Sequence, residues 1–224
     1  MSPIIRGYQV ERTNTITINK VIKNTYLLLS MTLLFSSITA YISMLLNTPP
    51  MGFIMTVIIY IGLLMMTNTL RNSIWGLVAV FCLTGFMGYT LGPMLNMILY
   101  GLTNGAQLIA ISLGLTGIIF LGLSGYAMIS QKNFNFLSGF LSIGICVLFI
   151  TIIIGLFSNL HIIHLMISAF IILISAGYIL FETNRIIHGG ETNYITATVS
   201  LYIQIFNLFV HLLHLLSFFA GRRN

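Results

Sequence analysis

The chain contains no aspartate and only three acidic residues, Glu11, Glu182 and Glu191, in 224 positions. Charged side chains make up 5% of it, far below the roughly 25% of soluble domains, which excludes an ordinary water-soluble globule. Between Lys23 and Glu182 only Arg71 and Lys132 carry charge. Cysteine is nearly absent too. Cys82 and Cys146 fall inside apolar stretches, which excludes a disulfide framework or metal knuckle and leaves two small buried thiols as the expectation. Linkers rich in Gly/Ser or Pro are missing, as are charge blocks, so no separate soluble domain is expected. No Ser/His/Asp set, P-loop or Rossmann fingerprint can be assembled, and H-E-x-x-H does not occur. The chain reads as a non-enzyme that calls for no cofactor.

What is present dissolves in lipid: 58% of residues are hydrophobic and the mean hydropathy is +1.03. A span requires about 20 apolar residues, and the chain offers candidates at Tyr26 to Leu46, Met51 to Leu70, Ile74 to Tyr100, Ala106 to Ile129, Phe134 to Phe157, Ile162 to Phe181 and Ile195 to Phe219. The first follows Lys20 and Lys23, but at about 21 residues it exceeds a signal-peptide apolar region, and no clear small-residue cleavage site follows. The pattern predicts an all-α polytopic membrane protein. Its seven-helix transmembrane domain covers residues 25–220, between a flexible polar tail at 1–24 and a short basic tail at 221–224.

Lys and Arg in short connections set orientation. Arg6, Arg12, Lys20 and Lys23 precede the first span, and alternate connections carry Arg71, Lys132 and Arg185, whereas the intervening loops carry no Lys or Arg. The amino terminus is therefore expected in the cytoplasm. Seven crossings put the carboxyl terminus outside, despite Arg222 and Arg223. The net charge of +6 is spread along one edge with no basic stripe or aromatic platform. It serves topology and anionic lipid rather than nucleic acid.

Small residues mark where helix backbones approach in a bilayer. Ser36, Ala40 and Ser43 form such a ridge on the first span; Gly85, Gly88 and Gly92 do so on the third, and Ala110, Gly114, Gly117 and Ser124 on the fourth. All three are expected to be packing surfaces.

The last two spans differ, because polar groups recur there at helical spacing. Ser200, Gln204, Asn207, His211 and His214 step by 4, 3, 4 and 3, a polar face about 21 Å long that lipid cannot satisfy. On the sixth span His161, Ser168, Ser175 and Glu182 step by sevens, with His164 and Tyr178 on the same face. A short connection makes the two spans antiparallel neighbours. Their polar faces are expected to meet, with the last helix central.

The segment IIHGGETNYITATVSLY followed by NLF resembles the signature of the Bax inhibitor-one (TMBIM) superfamily. NKVIKNTYLLLSMTL at the first span and LTGFMGYTLGPMLN at the third extend the likeness over essentially the whole chain, within the YccA-like bacterial branch. The resemblance implies seven helices with the last at the centre, residence in the bacterial inner membrane, and a partner, the membrane-anchored AAA protease FtsH. Some members of the superfamily pair two acidic residues as a proton-sensitive gate for calcium leak. Glu182 matches the first position, but the second is Gln204, and an amide cannot supply the like-charge coupling that such a switch uses. Pairing of Glu182 with Arg185 at i+3, or hydrogen bonding to Gln204, Asn207 or backbone, are the alternatives.

His188, Gly189, Gly190 and Glu191 form the last connection, where consecutive glycines permit a tight turn. His161, His164, His211 and His214 should lie near one another on the outer side. Two i, i+3 histidine pairs have the spacing to bind Zn or Cu, but no carboxylate joins them, and interfacial polar residues account for them as well. The amino-terminal tail lacks an apolar face and is expected to be disordered. A processive protease needs a flexible segment to begin threading. Taken together with the resemblance, this implies a mechanism in which the tail engages FtsH while the bundle resists extraction. A pH-sensitive calcium or proton leak channel is the alternative.

Overall fold

The computed structural model describes residues 3–130, 132–157 and 161–221, with side-chain environments for all of these but 3–15, 156, 157 and 161. Arg222 and Arg223, the side chain of His161 and those of Arg6 and Arg12 lie outside that description. The chain runs as α1 Pro3–Leu45, α2 Phe53–Leu70, α3 Ile74–Gly101, α4 Gly105–Ser130, α5 Phe136–Phe157, α6 His161–Ile187 and α7 Tyr194–Gly221. Every one is long and apolar enough to cross a membrane, as expected where backbone polar groups have no water to turn to.

The breaks follow local chemistry. Asn47 adopts a positive φ of 46° and Pro49 and Pro50 follow it, so α1 cannot continue into α2. Ser73 starts α3, its Oγ accepting from the Trp75 amide at 3.4 Å. Asn193 starts α7 in the same way, its Oδ1 accepting from the Ile195 and Thr196 amides at 2.9 and 3.2 Å.

Helix α7 packs on α1, α3, α4 and α6, and α3 and α6 likewise have four neighbours each, whereas α2 rests mainly on α3 and α5 mainly on α6. One buried cluster joins Val21, Leu28 and Leu29 of α1, Val80, Leu83 and Met87 of α3, Ile186 of α6, and Ile195, Leu201 and Tyr202 of α7. A second joins Ala40, Leu95, Ile98, Leu108, Phe209 and Leu213 further along the bundle. The Tyr202 hydroxyl ties three helices together. It donates to the Thr84 carbonyl at 3.1 Å and shares a 2.5 Å hydrogen bond with Ser36 Oγ.

Three expectations need correction. The amino-terminal segment is helical from Pro3 onward, and its later part is packed. Ile18, Val21, Ile22, Thr25 and Leu28 recur at i, i+3 and i+4, with Val21, Thr25 and Leu28 buried, so the apolar face of the first span begins before residue 25. Cys82 and Cys146 are exposed rather than buried, because they sit on the outward faces of α3 and α5. The small-residue ridges also divide. A Cβ added at Gly88 would stand 2.2 Å from the Ser36 carbonyl, and one at Gly92 2.1 Å from Ser43 Oγ, so α1 and α3 approach through these positions. At Gly114 and Gly117 it would meet nothing within 4 Å. That part of the α4 ridge faces outward, and only Ser124 of it is buried.

Candidate functional site

Polar side chains concentrate at the end of the bundle that holds Lys20, the α2–α3 loop, the α4–α5 loop and the α6–α7 loop. Helix α6 continues past Phe181 through Glu182, Thr183, Asn184 and Ile186, all four of which are buried. One carboxylate oxygen of Glu182, Oε2, pairs with Arg185 Nη1 at 3.4 Å. Its Oε1 has no hydrogen-bond partner among the described residues. Of the alternatives open at the level of sequence, the i+3 pair with Arg185 is the one that forms.

Arg185 then reaches across the turn. Its Nη2 meets Glu191 Oε2 at 2.8 Å and its Nε donates to the Gly190 carbonyl at 3.4 Å. A single guanidinium therefore joins the end of α6 to the loop that follows, in the forked geometry that only arginine offers. Gly189 turns the chain at a φ of +72°, a conformation that a Cβ disfavours, and the Ile18 side chain stands 3.5 Å from where that Cβ would be. His188 caps the helix end, with its amide donating to the Asn184 carbonyl at 3.0 Å and its Nδ1 lying 2.9 Å from the same oxygen.

Two asparagines fasten this loop to its neighbours. Asn184 donates to the Lys132 carbonyl at 2.6 Å and accepts from the Phe134 amide at 3.0 Å, which holds the α4–α5 loop. Asn193 donates to the Arg71 carbonyl at 3.0 Å and to Asn72 Oδ1 at 2.8 Å, which holds the α2–α3 loop. Glu191 Oε1 accepts from the Asn193 amide at 2.8 Å and so joins the two halves. Thr183 shares a 3.2 Å hydrogen bond with Ser124 of α4, and Ser124 in turn bonds the Tyr26 hydroxyl of α1. Sequence reasoning passed over Asn184 and Asn193. The signal was the repeated triplet Glu-Thr-Asn at 182–184 and 191–193: each copy ends in an amide whose donor and acceptor match a peptide backbone.

The α7 stripe is divided among different neighbours. Ser200 lines a cavity with Thr67, Asn68 and Thr196, and Asn207 lines another with Thr56, Tyr60 and Thr90; both cavities lie against α2. Neither Gln204 nor Asn207 hydrogen-bonds to Glu182. At its far end the stripe bonds α6, where Ser168 Oγ stands 3.0 Å from His214 Nδ1 and 3.2 Å from His211 Nδ1. The expected meeting of the two polar faces is seen in hydrogen bonds at that end. The buried face of α7 is the one bearing Thr198, Tyr202, Ile205 and Phe209, so Ser200, Gln204 and Asn207 are left half-buried beside it. Among the described residues no group of three or more His, Cys, Asp or Glu side chains is placed to hold a metal.

The first part of the signature read from the sequence, His188 to Asn193, lies within this clasp across three loops. The family model for the inhibitor of apoptosis-promoting Bax1 (Bax1-I) matches residues 18–221. The chain belongs to the Bax1-I family. The match opens at Ile18, the residue that packs on Gly189. Among curated Bax1-I relatives, the modulator of FtsH protease YccA of Escherichia coli is 47% identical over 208 residues, 93% of this chain and 94% of that protein. An uncharacterised protein of Pseudomonas aeruginosa is 46% identical over 204 residues, 91% of each chain. An uncharacterised membrane protein of Vibrio cholerae is 45% identical over 203 residues, 90% of this chain and 91% of that one.

Proposed function

We propose that this chain resides in the bacterial inner membrane, with its amino terminus in the cytoplasm, and there binds and restrains the membrane-anchored protease FtsH. It acts without chemistry of its own, by occupying the protease and sparing other membrane substrates. The observation that carries this reading is the 47% identity, over nearly the full length of both chains, to a protein named for modulating that protease. The clasp supplies a physical reason. A protease that pulls on its substrate from the cytoplasm must open this end first, and here three loops and the start of the packed part of α1 are fastened to one another. Resistance to extraction is concentrated where the pulling force arrives.

The part played by the amino-terminal segment is narrower than disorder implied. Residues from Ile18 onward belong to the packed body, so the handle offered to the protease is the stretch before Ile16, a helical extension of α1. The experiment follows FtsH-dependent turnover of a second membrane substrate in vesicles, with the full chain and with residues 2–15 deleted. Slower turnover with the full chain, lost on deletion, supports the reading; equal turnover in both and in the absence of this chain contradicts it. The leak reading gains no support from geometry. Its second carboxylate position is Gln204, which makes no hydrogen bond to Glu182.

A further inference from the structure

Helices α1 and α4 meet near one end, where the Tyr26 hydroxyl bonds Ser124 and the Tyr26 ring lies 6.2 Å from Phe120. Toward the other end a cavity of about 310 Å³ lies between them, with α3 and α7 as its back wall. Along α1 it runs from Leu33 to Met44, about 16 Å at 1.5 Å per residue. Its rim carries Ser37, Tyr41 and Leu113, all exposed, so it opens sideways at membrane depth.

The chemistry of the walls decides what fits. Most lining residues are apolar, and the polar side chains inside are already engaged. Ser36 and Tyr202 bond each other and Tyr202 donates to the Thr84 carbonyl. Ser37 donates to the Leu34 carbonyl at 2.7 Å, and Thr116 to the Ser112 carbonyl at 2.7 Å. A water molecule needs two to four polar partners to stay in a buried site, and these walls offer only the acceptor lone pairs of hydroxyls whose protons are already committed. An ion or a polar solute is disfavoured for the same reason. The occupant must be apolar, slender and able to enter from the side. Tyr41 stands at the rim about 6 Å before the end of α1, the level at which tyrosine meets lipid head groups.

We propose that this cleft is a binding site for one acyl chain of a membrane phospholipid, entering between α1 and α4 with Tyr41 at its mouth. The volume lies at the small end of ligand pockets, which suits a single chain. The site is separate from the clasp and does not depend on the reading of FtsH as partner.

The test uses the full chain in vesicles of phosphatidylethanolamine and phosphatidylglycerol containing a trace of phospholipid with a photoreactive diazirine in its acyl chain. After illumination, adducts are mapped by peptide mass spectrometry. Adducts at Met44, Leu113 and Phe206 should exceed those at the outward-facing Ile150 and Ile154 of α5 by about tenfold, the contrast that a modest preference over bulk lipid gives. Ala40→Trp, which fills the cleft from its α1 side, and Leu113→Trp, which covers its mouth, should each remove that excess and leave the α5 adducts unchanged. Wild-type labelling no greater in the cleft than on α5 overturns the proposal, including the case where a partner protein rather than lipid fills the space. Cleft labelling that survives both tryptophans overturns it as well.

Discussion

At the scale of single residues, Arg185 is the side chain that holds both acids of the clasp, since it meets Glu182, Glu191 and the Gly190 carbonyl at once. Glu182 is 3% exposed, and without the guanidinium its charge is left buried and unpaired. Arg185→Ala is therefore expected to lower stability by about 2–4 kcal/mol, read as a fall in melting temperature of the detergent-solubilised protein. Glu182→Gln preserves shape and leaves Arg185 held by Glu191. It should cost less than about 1 kcal/mol. A larger loss for Glu182→Gln than for Arg185→Ala would contradict this division of labour. Asn193→Ala removes the cap of α7 and both bonds to the α2–α3 loop. It should cost about 1 kcal/mol for the cap alone and should speed hydrogen exchange at Arg71 and Asn72.

At the scale of elements, the glycines of α3 and α4 look alike in sequence and differ in place. Gly88→Ala drives a methyl group into the Ser36 backbone, which cannot move as a side chain can, and should cost about 1–3 kcal/mol by separating α1 from α3. Gly117→Ala meets open space and should leave the melting temperature unchanged within error. Equal effects at the two positions would show that α3 and α4 are packed alike. The contrast also marks what was legible beforehand. Hydropathy located every span to within a few residues except the end of α6, where Glu182 and Arg185 broke the apolar run, and the start of α1, where Lys20 and Lys23 on the exposed side masked the buried face formed by Ile18, Val21 and Thr25. Small-residue spacing identified ridges but not which of them has a partner, because partner choice depends on helix crossings that no local pattern records. The same limit applied to the α7 stripe. Its period was read correctly, yet which neighbours it met depended on how α2 and α6 sit against α7. The clasp was half legible: Glu182, Arg185 and Glu191 stood out as rare charges in lipid, while the asparagines that bind the loops did not.

At the scale of the whole molecule, a packed body of α1, α3, α4, α6 and α7 carries two lightly attached helices, and one of its ends is fastened loop to loop. The proposed orientation, argued from the charge asymmetry, puts that end in the cytoplasm. In a cysteine-free background (Cys82→Ser with Cys146→Ser), Asn104→Cys should react with an impermeant maleimide on intact cells, whereas Lys132→Cys should react only after permeabilisation. The reverse pattern would invert the molecule and remove the clasp from the protease's reach. The central claim is that the chain restrains FtsH from that end. The most direct measurement is the half-life of a second FtsH membrane substrate in vesicles, with the chain present as wild type, with residues 2–15 deleted, and as Arg185→Ala, at matched levels. The account predicts the longest half-life with the wild type, no protection from the deletion, and reduced protection with Arg185→Ala as the chain itself is degraded. A half-life that is the same with and without the wild-type chain would contradict it.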